Sequence, residues 1–134
     1  MEITVPATIE NVEKVTGFVN TELDKLGCPS KAKAEIDIAI DELFSNIANY
    51  AYNPEIGKAT VKFEVQNNPQ AVVITFMDNG KPFDPLLRED PNIKLAAEDR
   101  DIGGLGIFMV KKTMDSVEYE YKDSHNILKI KKHL

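Results

Sequence analysis

From Ile36 to Ala51 the apolar residues Ile36, Ala39, Ile40, Leu43, Phe44, Ile47, Ala48 and Ala51 recur at alternating steps of three and one. Only a helix lying against a core keeps such spacing for over four turns. The run Ile36-Asp37-Ile38-Ala39-Ile40 alternates and taken alone would suit a strand, but the longer pattern decides. It predicts a helix from about Lys31 to Tyr52, with Ser30 as its N-cap. Glu42, Asn46 and Asn49 sit beside the apolar stripe at helical spacing. The helix therefore carries a carboxylate and two amides along the border of its buried face.

The rest of the chain falls into elements around that helix. Residues 2–5 alternate and end at Pro6, which predicts a short strand. Ile9, Val12, Val15, Phe18, Val19, Leu23 and Leu26 mark an amphipathic helix, with Gly27 as its cap. Residues 59–65 alternate as a strand, 67–70 form a hairpin turn, and the apolar run 71–78 is a more thoroughly buried strand paired antiparallel to the first. Between Asn79 and Gly103 periodicity gives way to Gly, Pro and charge. Connections beyond about 12–15 residues are usually functional lids or disordered. Residues 104–115 then predict a third helix entered through glycines, and 116–123 and 125–134 a closing hairpin around Asp123-Ser124. This order predicts an α+β fold, a two-layer α/β sandwich with helices on one face of a mostly antiparallel sheet. At 134 residues the expectation is a single domain over 1–134.

Composition removes several functions. A net charge of -6 argues against a nucleic-acid backbone as partner, because phosphate neutralisation needs clustered Lys and Arg. The single cysteine, Cys28, excludes an intrachain disulfide or a multi-cysteine metal site. The N-terminus lacks the positive and apolar regions of a secretory signal, and no apolar run approaches the roughly 20 residues needed to cross a bilayer. A cytoplasmic protein without membrane contact is expected.

Three segments could carry chemistry. Glu42 and Asn46 lie one helical turn apart, ~6 Å in rise. They read either as the solvent edge of an amphipathic helix or as a base beside an amide oxygen able to hold Mg²⁺. Asp78-Asn79-Gly80 reads either as a tight turn or as an Asp placed to accept from the amino group of a flat heterocycle, with a glycine that lets the ring approach. Gly103, Gly104 and Gly106 stand at a helix entrance, where free N–H groups and the helix dipole favour an anion. No Gly-Lys-Ser/Thr follows, so this is not a Walker loop. Each feature alone is common. Together and in this order they supply the base, metal ligand, adenine anchor, lid and phosphate cradle of a Mg-ATP site.

With these residues in place, the chain resembles the GHKL, or Bergerat-fold, ATPase superfamily, and within it the small bacterial anti-sigma-factor serine/threonine kinases. Residues 42–52 resemble the N-box, 78–85 the first glycine box with its Phe-Asp-Pro variant, and 103–121 the second glycine box. The resemblance implies Glu42 as general base, Asn46 as Mg²⁺ ligand, Asp78 as adenine anchor and Gly80 as its packing partner. It places Phe83, Gly103, Gly104, Leu105 and Gly106 at the nucleotide, Asn49 at the phosphate end, and a lid at about 86–102. It also implies ATP and Mg²⁺ as cofactors, a small antagonist protein as substrate, a sigma factor as a further partner, and a homodimer. Lys81-Pro82 departs from the more glycine-rich box of sensor histidine kinases. His125 and His133 fall in the closing strands, and a helical hairpin with a phosphoacceptor histidine, as in a complete sensor histidine kinase, is not expected. A non-catalytic ATP-binding interaction module of the same fold is the alternative. A fragment of a larger ATPase machine, which would need a transducer domain, is a third reading.

Overall fold

The computed structural model of the protein describes residues 1–52, 55–87 and 104–134. Strand β1 (Glu2–Pro6) leads through a 3₁₀ turn, Ile9–Asn11, into α1 (Val12–Lys25). Val15, Val19 and Leu23 form the fully buried stripe of α1. Gly27 closes it at φ +67°. The Gly27 N–H donates to the Asp24 carbonyl (3.1 Å) and the Cys28 N–H to the Leu23 carbonyl (3.2 Å). These two bonds form a Schellman closure, which needs a left-handed residue where Gly27 stands.

Helix α2 (Ser30–Asn46) buries Ile36, Ala39, Ile40, Leu43 and Phe44, the face read from the sequence. Ser30 is not its N-cap. Pro29 takes that place in extended backbone, and its carbonyl accepts the Lys33 N–H at 3.0 Å, so the ladder begins one residue earlier than expected. Proline lacks an N–H and pre-sets φ, so it costs a helix entrance little. At its other end α2 runs directly into a π-helical turn, Ile47–Ala51.

β2 (Lys58–Gln66) and β3 (Ala71–Asp78) form the expected antiparallel hairpin. α3 (Gly104–Thr113), β4 (Ser116–Lys122) and β5 (His125–His133) complete the described elements. The strands make one fully antiparallel sheet in the order β1-β2-β3-β5-β4. The chain leaves β3, passes α3 and enters β4 at the sheet edge, and the last hairpin then lays β5 against β3.

Register places Val61, Phe76 and Leu128 in one row across β2, β3 and β5, and Phe63, Ile74 and Ile130 in another. All six are buried in the cluster they share with α1 and α2. Each fully buried side chain of this size contributes roughly 1.5–3 kcal/mol of transfer free energy. The next row on the same face is Ala59, Asp78 and Asn126. At that end of the sheet the apolar layer gives way to buried polar groups. Among the described residues no helix is long and apolar enough to cross a membrane.

Candidate functional site

Asp78 ends β3 on the helix-facing side and is 5% exposed. Its Oδ1 accepts the Gly80 N–H (2.9 Å) and the Asn126 Nδ2–H (2.9 Å). A carboxylate this deep needs such donors to offset its lost hydration. Asn126, opposite Asp78 in register and 6% exposed, also donates to the Lys81 carbonyl (2.8 Å). Its Oδ1 accepts the Phe83 N–H (3.0 Å) and the Tyr119 hydroxyl. Burial pushes the Tyr119 pKa up, which keeps that hydroxyl a donor at neutral pH.

The turn after β3 is also docked on the end of α2. A Cβ at Gly80 would lie 2.3 Å from the Ala51 carbonyl oxygen and 2.7 Å from the Ala51 Cβ. The Lys81 N–H donates to that same carbonyl at 2.8 Å. Glycine at position 80 is therefore required by this backbone contact. Tyr52 bolts the junction further: its hydroxyl lies 2.6 Å from both the Lys58 carbonyl and Asn79 Oδ1, and accepts the Asn79 N–H at 3.0 Å. Burial raises the Tyr52 pKa.

In front of Asp78 lies a cleft of about 410 Å³, part of it open to solvent. Leu43, Asn46, Ile47, Phe83 and Leu128 line it beside Asp78. Apolar walls with a few convergent polar groups are the features of a small-molecule site. A second cleft shares Asn46, Phe83 and Pro85 and continues to Tyr50, Asp84 and Ile107 of α3. Tyr50 and Phe83 stand at its mouth with ring centroids 5.5 Å apart. Asn46 thus borders both clefts and faces the path from Asp78 to α3.

Gly104 is the first residue of α3 and Leu105 the second. Gly103, and residues 88–102 of the expected lid, lie outside the described residues. A Cβ at Gly106 would meet Glu42 Oε2 at 2.1 Å and its Cδ at 2.3 Å. The carboxylate of α2 therefore lies against the first turn of α3. Asn49 is exposed in the π turn and lines neither cleft, whereas Tyr50 and Ala51 do. The wider turn breaks the 42–46–49 stripe that a continuous α-helix would keep.

Sequence reasoning missed Asn126, Tyr119 and Tyr50. The signal for Asn126 was present, since it alternates in phase with Leu128 and Ile130 and is a polar residue on a buried stripe. Neither histidine joins the site: His133 Nδ1 lies 3.2 Å from Asp115, and His125 Nδ1 is 2.8 Å from the Asp123 carbonyl. Among the described residues no three His, Cys, Asp or Glu side chains cluster as a metal cage. A lone amide oxygen on the cleft wall suits a hard cation that keeps several waters and is held mainly by phosphate oxygens, as Mg²⁺ is.

A two-layer sandwich with an acid–amide helix facing a strand-end Asp and a glycine-entered third helix defines the GHKL class of ATPase domains. The chain belongs to the histidine kinase-like ATPase domain family, which it matches over residues 5–132. It is similar to the Serine-protein kinase RsbW of Halalkalibacterium halodurans, 30% identical over an alignment that covers 100% of this chain and 83% of that protein. It is likewise similar to the Serine-protein kinase RsbW of Staphylococcus aureus, at 27% identity over 100% of this chain and 86% of the relative. Acinetobacter baumannii histidine kinase AdeS matches 98% of this chain and 67% of its own at 17% identity, with a TM-score of 0.46.

Proposed function

We propose that this protein is a Mg-ATP-dependent serine/threonine protein kinase, a single domain over 1–134, that regulates transcription as an anti-sigma-factor-type switch in the cytoplasm. The observation that carries the reading is the cleft in which α2 brings Asn46 opposite the clamped Asp78, with Glu42 beside the entrance of α3. End-to-end similarity to two proteins named as serine-protein kinases supports the same activity.

In this reading the Asp78 carboxylate accepts the amino group of adenine, and the apolar wall of Leu43, Ile47 and Leu128 takes the ring face. Phe83 closes the cleft from the side of the turn. Asn46 would hold Mg²⁺ through its amide oxygen, and the ion would offset phosphate charge. Gly104, Leu105 and Gly106 bring backbone N–H groups to the phosphates, with Asn49 at the outer border. Glu42 takes the proton of the acceptor hydroxyl as the phosphoryl group leaves ATP. The substrate is a seryl or threonyl hydroxyl of a small antagonist protein, the further partner is a sigma factor, and the working form is a homodimer.

The test combines binding and transfer. Glu42→Gln should bind Mg-ATP as the wild type does and lose at least ~100-fold in phosphotransfer to the cognate partner. Unchanged transfer would remove Glu42 as the base. Tight ATP binding by wild type without any phosphorylated partner would instead favour a non-catalytic interaction module.

A further inference from the structure

We propose that Asn126 is the positioning residue through which this site distinguishes adenine from 6-oxo purines, by fixing the oxygen that Asp78 presents to the base. The inference rests on the nucleotide reading above and deepens it. The hydrogen bond from Gly80 to Asp78 Oδ1 lies within one short turn, and a carboxylate held only in this way can exchange its two oxygens by rotation. The second bond to Oδ1 comes from Asn126 on another strand, 48 residues along the chain. Two donors from independent elements commit Oδ1 and fix the plane of the carboxylate. Among the described residues no hydrogen bond is made to Oδ2. That oxygen is left as a pure acceptor on a residue lining the cleft.

Asn126 has no capacity left for a ligand of its own. Its two N–H groups go to Asp78 Oδ1 and the Lys81 carbonyl, and its oxygen accepts from Phe83 and Tyr119. All four bonds are made only in this orientation of the amide, which the Lys81 carbonyl, an acceptor only, and the Phe83 N–H, a donor only, determine. The Tyr119 hydroxyl adds a second bond to the amide oxygen. Asn126 therefore acts through Asp78. A fixed acceptor rewards an exocyclic amino group and leaves a carbonyl oxygen in its place facing another acceptor, which is where a buried polar site discriminates most strongly.

The experiment titrates wild type, Asn126→Leu and Tyr119→Phe with ATP, inosine triphosphate and inorganic tripolyphosphate, all with Mg²⁺, by calorimetry. Inosine triphosphate replaces the amino group by oxygen, and tripolyphosphate carries no base. Asn126→Leu should reduce the ATP-to-inosine-triphosphate affinity ratio at least ~tenfold and leave tripolyphosphate affinity unchanged. Tyr119→Phe, which loses only the hydroxyl, should move the ratio the same way by about threefold, and it alone decides if circular dichroism shows Asn126→Leu unfolded. A wild-type preference for ATP that both variants retain overturns the role of Asn126 and leaves the nucleotide reading standing. A proportional loss for all three ligands overturns it as well, since that is what general loosening produces. Equal wild-type affinity for ATP and inosine triphosphate overturns the role of Asn126 together with that of Asp78 as adenine anchor, and absence of binding by any of the three overturns the nucleotide reading itself.

Discussion

Gly80 and Gly106 look alike in the sequence, each a glycine-box residue placed to let a ligand approach, yet they are held for different reasons. Gly80 abuts the Ala51 backbone, which cannot yield, whereas Gly106 abuts the far end of the Glu42 side chain, which can. Gly106→Ala should therefore fold. Exchanging glycine for alanine inside a helix gains up to ~1 kcal/mol, which offsets the cost of swinging the carboxylate aside. Its thermal midpoint should stay within a few degrees of wild type, while phosphotransfer falls roughly 100-fold because the base has been moved. Full activity together with an unchanged midpoint would show that the Glu42 contact has no bearing on transfer. At this scale the spacing of Glu42 and Asn46 put both on one helix, and the apolar run before Asp78 put that residue at a strand end. The role of Asn126 was not legible, since Asp78, Lys81 and Phe83 lie 48, 45 and 43 residues from it along the chain.

Among the elements, α3 is secured at its C-terminal end by β5. The Lys132 ammonium donates to the Thr113 carbonyl at 2.6 Å, and the Asp115 N–H donates to the Lys131 carbonyl at 2.8 Å. Asp115 Oδ2 in turn accepts the His133 N–H at 2.6 Å. That backbone bond, ahead of the His133 ring, holds the Asp115 pKa below its ordinary value. A carboxyl whose folded pKa is depressed adds stability above its unfolded pKa and loses it as pH falls through the folded one. Asp115 is 41% exposed, so solvent screening limits the effect to under about 1 kcal/mol. Asp115→Asn should be less stable than wild type in urea at pH 7, and the gap should shrink toward pH 3. A gap that does not change with pH would assign the stabilisation to packing. Helix and strand positions were legible from periodicity, but the π turn was not, because α and π turns draw on the same residues in nearly the same order. The Ser30 cap was misread because two plausible starts lay side by side.

Across the whole molecule the site hangs on one core. Phe44 of α2 is fully buried and packs in the cluster shared by all three helices and the sheet. Truncating such a residue costs roughly 3–5 kcal/mol, a large part of the 5–15 kcal/mol that holds an ordinary domain together. Phe44→Ala should lower the thermal midpoint by about 10 °C or more. Saturating Mg-ATP should recover part of that loss by mass action, since only the folded chain assembles the cleft. A nucleotide that leaves the midpoint of both forms unchanged would mean the site does not bind it.

The helices α1 and α2, the strands β2 and β3 and their buried faces were determined by the sequence alone, because the periods of a helix and a strand are local and repeat within a few residues. The apolar stripe of α2, the alternation of β2 and the unbroken run of β3 needed nothing from the rest of the chain. Only the tertiary structure decided that β5 lies between β3 and β4, that Asn126 stands opposite Asp78, and that the Glu42 carboxylate fills the space left by Gly106. Those pairings join residues tens of positions apart, and the packing of the common core selects among registers that local pattern leaves equal.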